Sequence, residues 1–302
     1  MSHRLLILVA LLVAVATLLF MRLPIPPTYA GRTIENAGHL PVFALVTFGL
    51  LIVLRQDFKF EGGRLYALAG VLGAGLGFLS EAIQRPLARD ASWDDVFTDA
   101  VGAVTALALY ALFDRRSGLG RGTKLFAFVV ALACAVYYFT PLVRMTAAYV
   151  HRNSQFPVLA DFRSGIEIDW TASYGVNRII RRDALEVQFA RGRFPGFSLH
   201  EPVPDWSAYK TLVIDIENPE DVALGITVRV HDRGHGDRYA DRFNRHFDLA
   251  PRERRTLRIA LSDVEKGPKS RLMNMRHISD IRLFRDNRNG AKRLWIHCLQ
   301  LE

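Results

Sequence analysis

Five nearly unbroken apolar runs fill the first part of the chain: Leu5–Phe20, His39–Leu54, Leu65–Ile83, Val96–Phe113 and Leu125–Leu142. Each is 16 to 19 residues long, close to the roughly 20 that a helix needs to cross a bilayer core. Aromatic residues and arginines flank them, as interface anchors do. After a short connector at Asn153–Pro157 the period changes. Val158–Phe162, Leu185–Ala190, Thr211–Glu217, Gly225–His231, His246–Leu249, Thr256–Leu261, Ile278–Phe284 and Leu294–Leu301 read as strands. In Thr211-Leu-Val-Ile-Asp-Ile and Thr256-Leu-Arg-Ile-Ala-Leu the alternation is that of a half-buried sheet. The pattern predicts a multi-domain chain: an α-helical transmembrane bundle of about five helices, then an all-β antiparallel jelly-roll sandwich. The expected bounds are 1–142 for the membrane domain, 143–157 for the connector and 158–302 for the sandwich.

Charge sharpens the division. The 302 residues carry 39 Lys+Arg and 30 Asp+Glu. Met1–Leu142 holds 12 basic and 9 acidic residues, leaving 27 and 21 for the remainder. Neither half has the dense basic character of a nucleic-acid binder, and no zinc-finger, Walker or RNP-like pattern is present. Nucleic acid is therefore not an expected partner, whereas membrane lipid is. Cys134 lies in an apolar segment and Cys298 in the last strand, so neither a disulfide framework nor a cysteine metal site follows. With the N-terminus inside, the inner flanks of the segments hold eight Lys/Arg and the outer flanks six. The positive-inside rule then favours an N-inside, multi-pass protein of the inner or plasma membrane with its C-terminal domain outside the cytoplasm. Leu5–Phe20 also has the alternative of a signal peptide, ending near Pro27-Thr28-Tyr29-Ala30. Gly73-xxx-Gly77 and Gly102-xxx-Ala106 offer small faces for close helix contact.

The stretch EAIQRPLARDASWDDVFTDAVG, Glu81 to Gly102, sets ionisable groups against hydrocarbon. Glu81 and Gln84 are three apart and share a helix face; Asp95 and Asp99 are four apart at the start of the next segment. His39 opens the second segment at the same boundary. His39, Glu81, Gln84, Arg89, Asp95 and Asp99 thus form a candidate polar cluster, and ionisable groups at membrane depth point to function. One reading is a clamp in which Arg89 fastens three helix ends through their carboxylates. The other is a head-group or glycan-lipid site, with Arg89 on phosphate and Glu81, His39 or Asp95 exchanging protons, His39 and Glu81 being the catalytic candidates. No metal-ligand spacing and no cofactor motif is present. The order His39, Glu81-x-x-Gln84, Arg89, Ser92, Asp95, Gly102 resembles the VanZ-like family of small bacterial membrane proteins, over about Leu5 to Phe113. The chain carries Asn36 where that family has Lys, and Asp99 where it has Asn.

In the second half, Asp205–Pro219, Val228–Phe243 and Met273–Phe284 together resemble galactose-binding-like jelly-roll domains of bacterial glycan-active proteins. That resemblance implies carbohydrate recognition. Val228–Arg258 alone holds nine arginines and three histidines among five acids. Asp232, Arg238, Tyr239, Asp241 and Arg242 are the glycan-binding candidates there, with a solvated Arg–Asp hairpin as the alternative. Trp206 and Tyr209 read as packing residues, and Asp161 with Glu302 as a remote candidate for calcium. The leading expectation is a cell-envelope membrane protein, not an enzyme, that recognises glycan or lipid-linked glycan such as envelope polysaccharide. The alternative is a membrane enzyme on a lipid-linked envelope substrate, using Glu81 or His39 as acid–base.

Overall fold

The computed structural model describes residues 3, 6, 9, 12–13, 28–84, 93–116, 119–190, 194–236, 238–285 and 292–302. The chain forms two compact units, Met1–Met145 and Thr146–Glu302. The first contains α1 (Tyr29–Gln56), α2 (Gly62–Gln84), α3 (Trp93–Phe113) and most of α4 (Arg121–Gln155). All four are long and apolar enough to cross a membrane; the chain is a membrane protein. The expected first segment, Leu5–Phe20, lies largely outside the described residues.

Helix α1 starts ten residues before the apolar run that marks it. Thr28 caps it, its hydroxyl accepting from the Gly31 amide at 3.0 Å. His39 therefore sits in the body of the helix and not at its start, beside Pro41, which removes one backbone hydrogen bond. Helix α4 likewise outruns its apolar run at both ends, continuing to Gln155 through most of the expected connector. Side chains such as Leu125, Phe126, Val136 and Val143 on α4 are exposed, as hydrocarbon-facing positions are.

Glycines set the helix spacing. A Cβ on Gly102 would meet the Leu40 carbonyl oxygen at 2.5 Å, and one on Gly77 would meet Asp99 Cβ at 2.7 Å. A Cβ on Gly73 would collide with Thr47. Backbones can approach this closely only where the side chain is hydrogen. The small faces read from the sequence are the contacts of α1, α2 and α3 with one another.

The second unit is a sandwich of two antiparallel sheets. The six-stranded sheet has the order β3 (Val176–Ile180), β4 (Leu185–Phe189), β11 (Arg293–Leu301), β6 (Thr211–Glu217), β9 (Arg254–Ala260), and β1 (Val158–Ala160) also pairs with β11. The five-stranded sheet has the order β2 (Thr171–Tyr174), β5 (Gly196–His200), β10 (Ile278–Arg285), β7 (Leu224–Asp232), β8 (Phe243–Leu249). A short helix, α5 (Leu261–Glu265), follows β9. All eight expected strands are present, with ends shifted by a few residues; β2, β3 and β5 are additional. Inward positions alternate as half-buried strands require: Leu212, Ile214 and Ile216 on β6 face the core with Phe197, Leu199, Val228, Ile281 and Leu283, all fully buried. Trp206 is fully buried with its indole N–H on the Val203 carbonyl at 2.8 Å, and Tyr209 packs edge-on against Phe156. Both are packing residues, as expected.

Candidate functional site

Two polar constellations stand out, one in each unit. In the membrane unit, α1, α2 and α3 bring His39, Glu81 and Asp99 together, with ligating atoms that all lie within 4.8 Å of one another. His39 Nδ1 is 3.0 Å from Asp99 Oδ1. Asp99 is fully buried, Glu81 is 4% exposed, and Gln84 lies buried one turn beyond Glu81. Asp99 Oδ2 makes no hydrogen bond among the described residues. Asp95 is half-buried one turn before Asp99. Arg89 and Ser92, named by the sequence reading, lie outside the described residues.

An imidazole hydrogen-bonded to one carboxylate and close to a second can exchange protons. One imidazole nitrogen and two carboxylate oxygens also suit a divalent cation. Each ligating group comes from a different helix, so no metal-ligand spacing along the chain marks the three as a ligand set, although all three belong to the polar cluster expected from the sequence.

The second constellation is the outer face of the five-stranded sheet, which the sequence reading missed. Register fixes its composition. Tyr174 faces Gly196, Gly196 faces Phe284, and Phe284 faces Thr227 across neighbouring strands. The next row is Ala172, Ser198, Arg282, Arg229 and Asn244. The third is His200, Asp280 and His231. Directly paired residues share a face, so these side chains form one surface. Gly196 keeps it open between the aromatics, since a Cβ there would meet Phe284 Cβ at 2.6 Å.

Arg282 is the centre of this surface. Its guanidinium lies 3.9 Å from the Tyr174 ring centroid and 5.9 Å from that of Phe284. Asp280, 5% exposed, accepts from the Ser198 hydroxyl at 2.9 Å and pairs with His200 Nδ1 at 2.9 Å. The His231 and His235 rings meet at a tilt of 44°, with centroids 4.6 Å apart. Burial, opposed by the Asp280 charge and reinforced by Arg229, His235 and Arg242, pulls the His231 imidazole down from 6.5 to about 4, so it is neutral at pH 7. Arg282 Nε, His231 Nδ1 and Asn244 Oδ1 are buried and make no hydrogen bond among the described residues. Each such atom costs about 1–3 kcal/mol.

The outer face of the other sheet is built differently. There Glu186 is held by Arg181, Gln188 and Trp295, Asp215 by Arg254, Glu217 by His297, and Glu302 by Arg258. Its polar groups satisfy one another. Asp161 accepts from the Arg163 amide, and among the described residues no metal-compatible cluster includes Asp161 or Glu302.

The glycan candidates at the end of β7 and in the loop before β8 fall into two sets. Asp232 and Asp241 are both taken by Arg271, whose Nη1 and Nη2 meet the Asp232 oxygens at 2.7 Å each while Nε meets Asp241 at 2.6 Å. Arg238 and Tyr239 are exposed, and the Arg242 guanidinium lies 5.1 Å from the Tyr239 ring. Tyr239 and Arg242 line an open recess of about 420 Å³ with Asn244 and Lys269.

No protein-family model matches the chain, and no curated protein matches it in sequence. Among solved structures it is similar to a family 11 carbohydrate-binding module from Clostridium thermocellum in complex with a β-1,3-1,4-mixed-linked tetrasaccharide. The identity is 16%, covering 48% of this chain and 93% of that one, with a TM-score of 0.39. It is similar to an exo-β-agarase at 14% identity, covering 48% of this chain but only 25% of that one, TM-score 0.40. A variant of a family 29 carbohydrate-binding module shares 16% identity over 43% of this chain and 79% of its own, TM-score 0.30. These likenesses are weak, and the sandwich is defined by its own strand order and register.

Proposed function

We propose that this is a bacterial cell-envelope membrane protein whose sandwich recognises glycan, free or lipid-linked, at the outer membrane–water boundary. The supporting observation is the outer face of the five-stranded sheet. It sets Tyr174 and Phe284 beside Arg282, Asp280, His200 and His231. Aromatic rings accept the C–H faces of sugars, and a guanidinium beside a carboxylate matches vicinal hydroxyls or a sugar acid. Arg238, Tyr239 and Arg242 extend the surface as an exposed rim. The excess of Lys/Arg on inner flanks, eight to six, favours the extracytoplasmic side for this unit. The VanZ-like reading of the membrane unit rests on the order His39, Glu81-x-x-Gln84, Arg89, Ser92, Asp95, Gly102.

The test is affinity of the full chain in detergent for immobilised envelope polysaccharides. Arg282→Ala and Tyr174→Ala should each lower retention about tenfold at unchanged melting temperature, the loss of one charge-assisted or stacking contact. Failure of the unaltered chain to bind any envelope polysaccharide rejects the reading.

A second reading is favoured by the His39–Asp99 hydrogen bond beside Glu81: acid–base chemistry on a lipid-linked envelope substrate. Glu81→Gln then abolishes the cellular phenotype at normal protein abundance. A parallel fall in abundance assigns Glu81 to holding the helix ends instead.

A further inference from the structure

At the other end of the helices, residues of α1, α3 and the turns that follow them line an open cleft of about 1,320 Å³. That exceeds the roughly 300–1,000 Å³ of small-molecule pockets. Arg55 on α1 is 16 residues beyond His39, and Asp114 follows α3 15 residues beyond Asp99. At 1.5 Å per residue both steps are about 22–24 Å, so the cleft reaches the opposite membrane boundary from the His39 cluster. Its walls at membrane depth are apolar and uncovered: Leu45, Phe48, Leu109 and Phe113 are 57%, 43%, 42% and 79% exposed.

Its mouth is basic. Arg55 is committed within the protein, 2.5 Å from Asp114 Oδ2 and 3.0 Å from the Tyr110 hydroxyl. Lys59, Arg115 and Arg116 are exposed around the mouth, with Glu61 as the other acid. With Arg55 and Asp114 cancelling, the mouth carries a surplus of two positive charges above an apolar groove. A soluble anion has no use for the groove, and a neutral or zwitterionic lipid has no use for the surplus charge.

We infer that this cleft binds an anionic phospholipid, its acyl chain along Leu45, Phe48, Leu109 and Phe113 and its phosphate on Lys59, Arg115 and Arg116. The guanidinium forks suit phosphate oxygens. Each basic side chain near a charged membrane surface contributes about 1 kcal/mol, which is about fivefold in affinity. The assignment does not depend on glycan binding by the sandwich.

The experiment is native mass spectrometry of the full chain released from detergent. Phosphatidylglycerol and phosphatidylcholine of identical acyl chains are titrated in parallel. Phosphatidylglycerol should be retained at least about tenfold better. Lys59→Gln, Arg115→Gln and Arg116→Gln combined should abolish that preference, whereas Arg32→Gln, exposed at the other boundary, should leave it intact. All four are surface positions, and an unchanged melting temperature certifies folding. Glycerol 3-phosphate should not compete with phosphatidylglycerol, because it lacks the chain that fills the groove. Equal retention of the two lipids overturns the assignment, as does a preference that survives the triple substitution. Occupation of the cleft by a second copy of the chain, seen as a lipid-independent dimer, overturns it as well.

Discussion

Arg271 offers the clearest test of how the loop before β8 is held. Its guanidinium makes two parallel 2.7 Å bonds to Asp232 and a third bond, 2.6 Å, to Asp241. The Asp232 carboxylate is 1% exposed, and Arg271 is 30% exposed. Arg271→Ala leaves that carboxylate buried with the Asn274 amide, at 2.7 Å, as its remaining strong donor. Breaking a buried ion pair from one side costs about 3–5 kcal/mol; the retained amide argues for the lower end, about 3 kcal/mol. For a unit of this size each kcal/mol moves the midpoint by about 2–4 °C, so melting should fall by about 6–12 °C. Tryptophan fluorescence of the full chain in detergent reports it, since Trp170, Trp206 and Trp295 lie in the sandwich and only Trp93 lies elsewhere. Acid adds a second signature. Burial pushes the Asp232 carboxyl up, but the Arg271 hydrogen bonds, the Asn274 amide and the Arg271 charge outweigh it and hold the group below its ordinary range. A depressed carboxylate stabilises the fold above its unfolded value near 3.9 and loses that contribution as pH falls through its folded value. Arg271→Ala should therefore flatten the acid limb. A midpoint within about 2 °C of the parent refutes the reasoning. Lost glycan affinity at unchanged stability refutes it too, and would return Asp232 to the ligand surface.

Other outcomes follow from the same geometry. Gly102→Ala must push the Leu40 carbonyl away and should cost about 1–3 kcal/mol, the range for overpacking, read as earlier thermal unfolding in detergent. His231 titrates near 4 in the fold against about 6.5 in an unfolded chain. The unfolded state thus binds the extra proton between those values, and sandwich stability should drop by about 3 kcal/mol from pH 7 to pH 4. His231→Gln should remove that part of the slope; an unchanged slope counts against a buried neutral imidazole. Gly196→Ala should displace Phe284 and weaken polysaccharide retention more than it lowers the melting temperature.

The architecture was legible because both periods are strong. Hydropathy marks hydrocarbon and not helix, however, so the apolar runs stop short of the polar turns Tyr29–Gly38 and Val143–Gln155, which are helical. Among the strands, Thr171-Ala-Ser-Tyr174 has no apolar alternation to find, and Gly196-Phe-Ser-Leu-His200 is too short and too close to Pro195 to declare itself. The membrane cluster could be read because each helix delivers its polar residues at a recognisable offset. The sheet-face surface could not, because its members are spread over five strands from Thr171 to Arg285 and each looks ordinary in its own segment. Local charge density drew attention instead to Val228–Arg258, where much of the charge is spent on internal pairing.

The position of β11 governs how this molecule can be made. It lies between β4 and β6 and also carries β1, pairing Gln300 with Val158. Until residues 293–301 leave the ribosome, two halves of a sheet wait on either side of a gap. Closure over more than a hundred residues is entropically slow, so the nascent tail stays pliable while it is being synthesised.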